Sequence, residues 1–303
     1  MLPSHRTGIH YLDRVRVYVE GDRVLYARDE GGMQRSWNIP DLSTAVVLLG
    51  PGASITQAAA RRFAESGVML AFTGTGATPL FLSSQSEYRP TDRLQRWMAV
   101  WSDAGRRLAA AKRLQELRCQ MIAKAWPRQF KGHKPQPRWQ DVVDDFRDVL
   151  PGCRTVQQLM SHEDHLVAAL YKEASRAIGL PWKGRSERFD EDKDSANTFL
   201  NHGNDLAYGI AAFALWATGI PAGLPVTHGM SRAGGLVFDL ADVIKDAVIL
   251  PRAFLAAANN ADPQDFRDAA VADLHDFDAI PLMFDAVDQA LSAMEAGTTG
   301  AAE

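Results

Sequence analysis

Residues 89–101, RPTDRLQRWMAVW, lie where the hydrophobic pattern of this 303-residue chain changes. Upstream of them, apolar and polar residues alternate in short runs, as they do in β-strands. From Leu94 onward, apolar residues recur at three- and four-residue steps, with Trp97, Met98 and Trp101 next in the series. That spacing predicts an α-helix with one buried face, and the stripe is interpreted as core packing. The segment therefore separates a β-rich part of the chain from a helical part.

The residues upstream of this boundary have the patterns of short strands and turns. RVRVYVEGDRVLYA, residues 14–27, alternates around a Gly-Asp pair, and STAVVLLG, residues 43–50, is a short apolar run. Both patterns are typical of strands. SITQAAARRFAESG predicts one helix among them, with Ser54 as N-cap and Gly67 as C-cap.

The residues downstream of the boundary are predicted to be helical almost to the end of the chain. The apolar stripe continues through Leu114, Leu117 and Met121, and a basic, Pro-rich loop follows at residues 127–138. We therefore predict an α+β protein of two domains: a β-domain over residues 1–85, a junction over 86–92, an α-helical domain over 93–296 and a flexible tail over 297–303.

The composition excludes several classes of protein. A hydrophobic content of 46% fits a globular rather than a disordered chain. No long uncharged apolar stretch and no signal-peptide pattern is present, so we expect a cytoplasmic protein with no membrane contact. Cys119 and Cys153 lack C-x-x-C spacing, which predicts structural thiols rather than a disulfide or a zinc site.

The formal charge of −4 hides a segregation of charge along the chain. Residues 89–138 contain thirteen Lys or Arg and three acids, whereas residues 259–303 contain ten acids and one Arg. The basic segment could follow a phosphate backbone, and the acidic segment would then have to point elsewhere. A solvated helix face is the alternative interpretation.

The segment FDEDKDSANTFLN has part of the spacing of a calcium-binding loop. Asp190, Asp192 and Asp194 occupy alternate positions, but Ser195 stands where glycine is required and Asn201 where a bidentate Glu is required. We therefore interpret the segment as a solvated charged turn.

The segment SHEDH contains another possible metal motif. His162 and His165 are three residues apart, whereas the H-E-x-x-H zinc motif needs a spacing of four, so a zinc protease is not predicted. Glu163, between them, is expected near a helix start, where the helix dipole alone favours a carboxylate.

The stretch THGMSRAGGLVFDLADVIKD combines a histidine, a glycine turn and three acids. On a helix, Asp239 and Asp242 share a face, and Asp242 and Asp246 form a like-charge pair. The acids are predicted to line a mostly unpaired face, although capping by Asp239 is the simpler alternative. With His228 folded back across the turn, they would suit a magnesium or manganese ion better than zinc.

Two longer segments carry a resemblance to a known family. DSANTFLNHGNDLAYGIAAFALWATGIPAGLPVTHG, followed by LVFDLADVIKDAVILPRAF, closely resembles the CRISPR-associated integrase of spacer acquisition, CRISPR-associated protein 1. GPGASITQAA, SQSEYRPTDRLQRW and LNHGNDLAYG are most similar to its type I-F branch. The resemblance extends from about Tyr11 to about Phe266 and is specific, because an Asn, a Tyr-Gly, a His and a D-x-x-D-x-x-K occur in one order.

The resemblance implies a divalent metal site. The implied ligands are Glu163, His228 and Asp242, and the implied ion is Mg²⁺ or Mn²⁺. Asp239 and Lys245 would be the accompanying catalytic side chains.

The resemblance also implies DNA contacts. Asn197 and Tyr208 match family positions near the active site and the DNA, and Arg89, also expected to bind DNA, matches a basic residue at the junction of the two domains. Tyr171 matches an aromatic of the family. Ala168 departs from the pattern, because the family usually has a basic residue at this position.

The implied fold is a β-domain that pairs with its copy in a homodimer, followed by an α-helical catalytic domain. The implied activity is that of a metal-dependent DNA endonuclease and integrase, in which a 3′-hydroxyl attacks a repeat phosphodiester and inserts a spacer. Its partners would be double-stranded and branched DNA and a second CRISPR adaptation protein, which type I-F systems fuse to a helicase-nuclease. A general metal-dependent DNA phosphodiesterase and a noncatalytic DNA-binding scaffold stay open as alternatives.

Overall fold

The N-terminal part of the chain is built from two packed sheets. The computed structural model describes residues 5–30, 33–73, 80–82, 91–182, 184–185, 195–229 and 233–297. Its strands are β1 (Gly8–Leu12), β2 (Arg16–Glu20), β3 (Arg23–Glu30), β4 (Met33–Ile39), β5 (Thr44–Leu49), β6 (Ser54–Ile55), β7 (Met69–Phe72) and β8 (Leu80–Leu82). Helix α1 (Gln57–Ser66) lies between β6 and β7.

The two sheets differ in the direction of their strands. One has the order β1-β5-β7-β8, with β1, β5 and β7 parallel and β8 antiparallel to β7. The other has the order β4-β3-β2-β6, in which β2, β3 and β4 form an antiparallel meander. The predicted β2–β3 hairpin is confirmed, and Gly21 in its turn has a φ of +59°, a conformation that favours glycine.

Strand β5 is buried on both faces. Val46 and Leu48 belong to the core of the helical part, whereas Val47 and Leu49 pack with Phe63 of α1. Successive side chains of a strand point to opposite faces, so a strand between two cores has to be apolar throughout. This position explains the uninterrupted apolar run of its sequence.

The rest of the described chain is helical, which confirms the predicted fold class. Its helices are α2 (Asp92–Trp101), α3 (Ala104–Gln129), α4 (Trp139–Val149), α5 (Val156–Ile178), α6 (Ser195–Thr218), α7 (Gly235–Ile244), α8 (Leu250–Ala258), α9 (Pro263–Asp276) and α10 (Ala279–Ala296). A 3₁₀ turn (Leu150–Gly152) follows α4, and a π-helix (Lys245–Ile249) joins α7 to α8. Helix α6 packs against α7, α8, α10 and β5, and therefore lies at the centre of the molecule.

Several local predictions can be compared with these elements. Gly67 is the C-cap of α1 as predicted, with a φ of +69°, but Thr56 rather than Ser54 is its N-cap. Ser54 instead lies in β6, which pairs with β2. Cys119 and Cys153 are buried free thiols, and burial raises the pKa of Cys119 to about 11. Among the described residues, no helix is both long and apolar enough to cross a bilayer.

The segregated charges meet across the helical part. Arg93 of α2 contacts Asp288 of α10 at 2.6 Å, and Arg96 contacts Glu295 at 2.7 Å. Arg113 of α3 binds the side-chain amide of Gln289. The prediction that the acidic segment points away from the basic one is therefore wrong, because α10 packs along α2 and α3. Such half-exposed pairs contribute about 0 to 1 kcal/mol each, so they orient helices more than they stabilise them.

Candidate active site

Helix α7 and the π-helix after it carry four charged side chains on one buried face: Asp239, Asp242, Lys245 and Asp246. Asp239, Asp242 and Asp246 are only 4, 4 and 3% exposed. The prediction of a mostly unpaired acidic face is wrong, because an unpaired buried carboxylate would cost several kcal/mol and each of these has a partner. Asp239 is not a cap either, since α7 begins at Gly235 and Gly234 is its N-cap.

Asp239 holds the loop that carries His228. Its carboxylate accepts hydrogen bonds from the backbone N–H groups of Val226 (2.6 Å), Thr227 (3.1 Å) and His228 (3.0 Å). The ring Nδ1 of His228 lies 2.8 Å from the same carboxylate. An Nδ1–H donated to Asp239 leaves the lone pair on Nε2, and Nε2 lies 3.9 Å from Oδ2 of Asp242.

Asp242 is shared between His228 and Lys245. The ammonium of Lys245 donates to Oδ1 at 2.6 Å and lies 5.7 Å from the ring centroid of Tyr208. Burial raises the pKa of Asp242, but Lys245 and the nearby cations lower it by more than burial raises it. The pKa of Asp242 therefore lies below its usual value. Burial lowers the pKa of Lys245 while Asp242 raises it, with a net increase. Both groups therefore stay charged, and Oδ2 is left facing His228.

Arg118 is the site residue that sequence analysis missed. It projects from α3, is 2% exposed, and donates to Oε1 of Glu163 at 2.6 Å and to Gln115 at 3.1 Å. It also donates to the carboxylate of Asp246. Its position in the sequence carried a signal, because Arg118 interrupts the buried stripe between Leu114 and Ile122. An arginine on an apolar helix face needs a buried acid as partner.

Glu163 lies well inside α5, which begins at Val156, so its predicted position near a helix start is wrong. The residue is 9% exposed. Burial raises the pKa of its carboxyl, Arg118 lowers it and Asp242 raises it, with a net increase. Arg118 holds Oε1, whereas no described residue donates to Oε2.

The buried charges of the site do not balance. The four carboxylates described above face two permanent cations, Arg118 and Lys245, so the carboxylates outnumber these cations by two. Burial lowers the pKa of His228, but Asp239, Asp242 and Glu163 raise it, with a net increase, so the acids favour a positive charge at this ring. A divalent cation bound at Nε2 would take the place of that proton. Two carboxylate oxygens and one imidazole nitrogen are suitable donors for Mg²⁺ or Mn²⁺, so the residues fit such an ion in charge and chemistry. Within the described ranges, no three possible ligands already form a metal-binding group. Arg118 holds an oxygen of Glu163 and one of Asp246, and Lys245 holds an oxygen of Asp242.

The predicted DNA-contacting residues have different environments. Tyr208 contacts Phe238 edge-on, with ring centroids 4.8 Å apart, beside Lys245. Asn197 is buried, and its side-chain amide donates to the carbonyl of Gly184 at 3.1 Å and accepts from Arg185 at 3.2 Å. Asn197 therefore positions a neighbouring segment, whereas Arg89 lies outside the described residues.

Tyr171 and Ala168, the two positions of α5 compared with the family above, have different surroundings. Tyr171 is stacked on Trp182, with ring centroids 5.1 Å apart, and burial raises its pKa to about 12. Ala168 is exposed, so a side chain at this position faces solvent.

Comparisons with known proteins show which proteins this chain is similar to. The family described as "CRISPR associated protein Cas1" matches residues 12–274. The CRISPR-associated endonuclease Cas1 of Pectobacterium atrosepticum is 41% identical, and the alignment covers 97% of this chain and 95% of that protein. The crystal structure of a TtCas1–DNA complex has a TM-score of 0.71 at 24% identity, covering 94% of this chain and 91% of the other. A casposase bound to an integration product has a TM-score of 0.72 at 15% identity, covering 89 and 82%. These two likenesses concern the fold.

Proposed function

Because the chain belongs to the Cas1 family of CRISPR-associated proteins, we propose that it is a metal-dependent endonuclease and integrase of CRISPR adaptation. A DNA 3′-hydroxyl would attack a phosphodiester of the repeat and insert the spacer. With water as the nucleophile, the same site would cut DNA. The observation that carries the proposal is the buried group that contains Glu163, His228 and Asp242, in which four carboxylates face two permanent cations.

Three donor atoms would hold the ion: Oε2 of Glu163, Nε2 of His228 and Oδ2 of Asp242. When bound, Mg²⁺ or Mn²⁺ would polarise the phosphate and lower the pKa of the attacking hydroxyl. Asp239 keeps His228 in the tautomer whose Nε2 can bind, through the contact to Nδ1 at 2.8 Å. Arg118 holds Glu163 in place from the other side.

Lys245 would meet the reacting phosphate. Its side chain is 23% exposed, whereas that of Asp242 beside it is 6% exposed, so Lys245 is the more accessible of the two residues. A cation at this position would offset charge that develops on the nonbridging oxygens in the transition state.

We further propose the partners that the family resemblance implies: DNA, a second copy of the chain and the second adaptation protein. A DNA complex and an integration product are present in the two solved structures with this fold. Strand β4 supports pairing with a second copy, because it lies at a sheet edge and exposes Met33 and Trp37 by 65 and 37%.

The test is the transfer of a short prespacer duplex into a supercoiled plasmid that carries a repeat, with Mg²⁺ or Mn²⁺ and the second adaptation protein. Glu163→Gln and Asp242→Asn are expected to abolish the joined product. Asp288→Asn, an acid of α10 paired with Arg93, serves as the matched control and is expected to join DNA normally.

Two outcomes would contradict the integrase proposal. Equal cutting of linear DNA without a repeat, lost in the same two variants, would indicate a general phosphodiesterase. DNA binding with no metal-dependent cutting or joining would indicate a noncatalytic scaffold.

A further inference from the structure

A cavity of about 370 Å³ lies between the N-terminal sheets and helix α9. Strands β1, β3 and β4 line one side of it, and α9 lines the other. Its volume is within the range of sites that hold small organic ligands, which occur often where two parts of a protein meet. Its lining residues include none of the proposed active site, so the cavity needs a separate explanation.

Helix α9 presents a polar face to the cavity. Four of its residues line the cavity with the spacing i, i+3, i+4 and i+7: Gln264, Arg267, Asp268 and Val271. This spacing places them on one side of the helix. The side of a helix that faces a sheet is usually apolar, whereas three of these four residues are polar. Packing against the strands does not account for this face, but a polar ligand between the helix and the strands would.

Arg267 has hydrogen-bond donors with no acceptor among the described residues. It is 5% exposed, and its guanidinium lies 5.0 Å from the centroid of the Tyr11 ring. Its Nη2 contacts Asp13 at 3.3 Å and Gln264 at 2.9 Å. Its Nε is buried without an acceptor, and no described residue accepts a hydrogen bond from its Nη1. Unpaired donors of a buried guanidinium cost free energy, and an acceptor on a ligand would offset part of this cost.

Asp268 adds a free acceptor beside these donors. Its Oδ1 accepts a hydrogen bond from Nε2 of Gln264 at 2.8 Å, whereas no described residue donates to its Oδ2. On the opposite wall, Arg28 of β3 contacts Asp13 at 3.5 Å, which is longer than a charge-assisted hydrogen bond of about 2.8 Å. The cavity therefore offers a donor group and an acceptor group on α9 and a second, weakly paired cation on β3.

A stacked pair of aromatic rings lies at the wall of the cavity. Tyr26 and Trp37 are direct partners across β3 and β4, and their ring centroids are 5.2 Å apart. Val24 and Ile39, two positions along the same strands, are buried in the core. Since alternate residues of a strand share a face, the apolar face of these strands extends beyond the core to the cavity. Trp37 is 37% exposed, so part of its indole is accessible to a planar ligand.

We propose that this cavity binds a guanine mononucleotide. O6 and N7 of guanine accept hydrogen bonds, and arginine pairs with both atoms, as Arg267 would here. The N1–H and the exocyclic amine of the same base are donors, and Asp268 has a free oxygen to accept from them. The base would stack on Trp37, and its phosphate would pair with Arg28. Adenine has an amino group where guanine has O6, so it would place a donor against Arg267.

The test is isothermal titration calorimetry of the full chain with the 5′-monophosphates of guanosine, inosine and adenosine. EDTA is present, so that no metal ion links a phosphate to the proposed active site. We expect guanosine monophosphate to bind at least about tenfold more tightly than adenosine monophosphate. Inosine lacks the exocyclic amine that would face Asp268, so its monophosphate is expected to bind with intermediate affinity.

A substitution on α9 tests the contact to the base edge. Asp268→Asn is expected to weaken the binding of guanosine monophosphate about tenfold and to remove its advantage over inosine monophosphate. Asp265→Asn is the matched control, because Asp265 is exposed on the same helix and does not line the cavity. It is expected to bind all three nucleotides as the wild type does.

Two substitutions on the strands test the stacking and the phosphate contact. Trp37→Ala is expected to weaken all three nucleotides about tenfold, because every purine can stack on an aromatic ring. Since the edge of β4 is proposed to pair with a second copy, light scattering would verify that the oligomeric state of Trp37→Ala is unchanged. Arg28→Gln leaves β4 intact and is expected to weaken the binding of guanosine monophosphate but not that of guanosine.

Four results would each overturn the nucleotide pocket. The first is no binding of guanosine monophosphate by the wild type at millimolar concentration, and the second is equal affinity for guanosine and adenosine monophosphates. The third is an unchanged affinity in both Asp268→Asn and Trp37→Ala, and the fourth is an equal loss of affinity in Asp265→Asn. The integrase proposal would stand in each case, because the proposed active site uses none of these residues.

Discussion

Arg118 holds together two carboxylates from different parts of the chain. Glu163 lies 45 positions from it and Asp246 lies 128 positions from it. The guanidinium can serve both because it presents several N–H donors in one rigid plane, which an ammonium group does not. At 2% exposure, it cannot contact DNA, so we assign it a positioning role.

We predict that Arg118→Lys weakens Mn²⁺ binding about 10- to 100-fold, the usual effect of losing a group that orients a ligand. Lysine keeps the positive charge but cannot bridge both carboxylates. Mn²⁺ affinity would be measured by electron paramagnetic resonance on the protein without DNA, and strand transfer would be measured in parallel. Arg113→Lys, on the same helix, is the control. An unchanged Mn²⁺ affinity in a folded Arg118→Lys protein would show that the buried pairs serve stability alone.

Asp205 of α6 is a further buried carboxyl, with no hydrogen bond or ion pair to any described residue. Burial raises its pKa from 3.8 to about 8. Between these values the unfolded chain releases this proton and the folded chain keeps it, so the free energy of unfolding falls as pH rises from about 4 to 8. We predict that Asp205→Asn, which cannot ionise, raises the melting temperature relative to the wild type, and that the difference grows between pH 5 and 8. A difference independent of pH would contradict the assignment.

At the scale of elements, the start of α7 sets the position of the loop that carries His228. Gly235 is the first residue of α7, and a Cβ built on it would lie 2.8 Å from Pro225 Cβ and 3.1 Å from the carbonyl oxygen of His228. Only glycine therefore allows the helix and the loop to approach this closely. The π-helix that follows α7 also positions residues of the site, because it carries Lys245 and Asp246. Such π-helical turns are frequent at functional sites.

We predict that Gly235→Ala lowers the free energy of unfolding by about 1 to 3 kcal/mol, the usual cost of overpacking, and slows strand transfer by moving His228. Gly223→Ala is the matched control in the preceding turn, because a Cβ there meets no atom within 4 Å. Urea denaturation and strand-transfer rates would be compared for both. Equal effects of the two substitutions would mean that the approach of α7 to the loop is not tight.

At the scale of the whole molecule, ion pairs between α2 and α10 leave less exposed positive charge than we predicted from the sequence. Arg93 and Arg96 are occupied by Asp288 and Glu295. Lys131 and Lys134, in the loop after α3, are exposed and pair with no carboxylate among the described residues. In the described part of this basic segment, these two cations at the end of α3 are therefore available to a phosphate backbone.

We predict that Lys131→Gln combined with Lys134→Gln weakens DNA binding and lowers the dependence of log K on log salt by about 0.9 for each phosphate that the protein no longer neutralises. Arg93→Gln combined with Arg96→Gln removes the same charge and is expected to leave that slope unchanged. Titrations at several salt concentrations measure both. A larger decrease of the slope in the arginine pair would place the DNA on α2 instead.

The parts of this structure that depend on local pattern could be predicted from the sequence. The order of a strand-rich part and a helical part, the β2–β3 hairpin and the Gly67 cap follow from periodicity and turn chemistry, and these predictions are confirmed. The bond of Arg118 to Asp246 and the ion pair between Arg96 and Glu295 join residues 128 and 199 positions apart. No local pattern encodes them, because they depend on which helices pack together. The roles of Glu163, His228 and Asp242 as ligands stay predictions.

Strand β5 has a consequence for how the molecule comes apart. Its side chains point alternately into the core that includes α6 and into the core that includes α1. Neither core can therefore open without exposing the other core to water. The two halves should therefore unfold in one cooperative transition, and the amides of β5 should exchange with deuterium as slowly as those of α6. A fragment that ends near residue 85 would expose Val46 and Leu48 to water. A chimera that takes its N-terminal half from a relative would therefore need an α6 that fits the β5 of that relative.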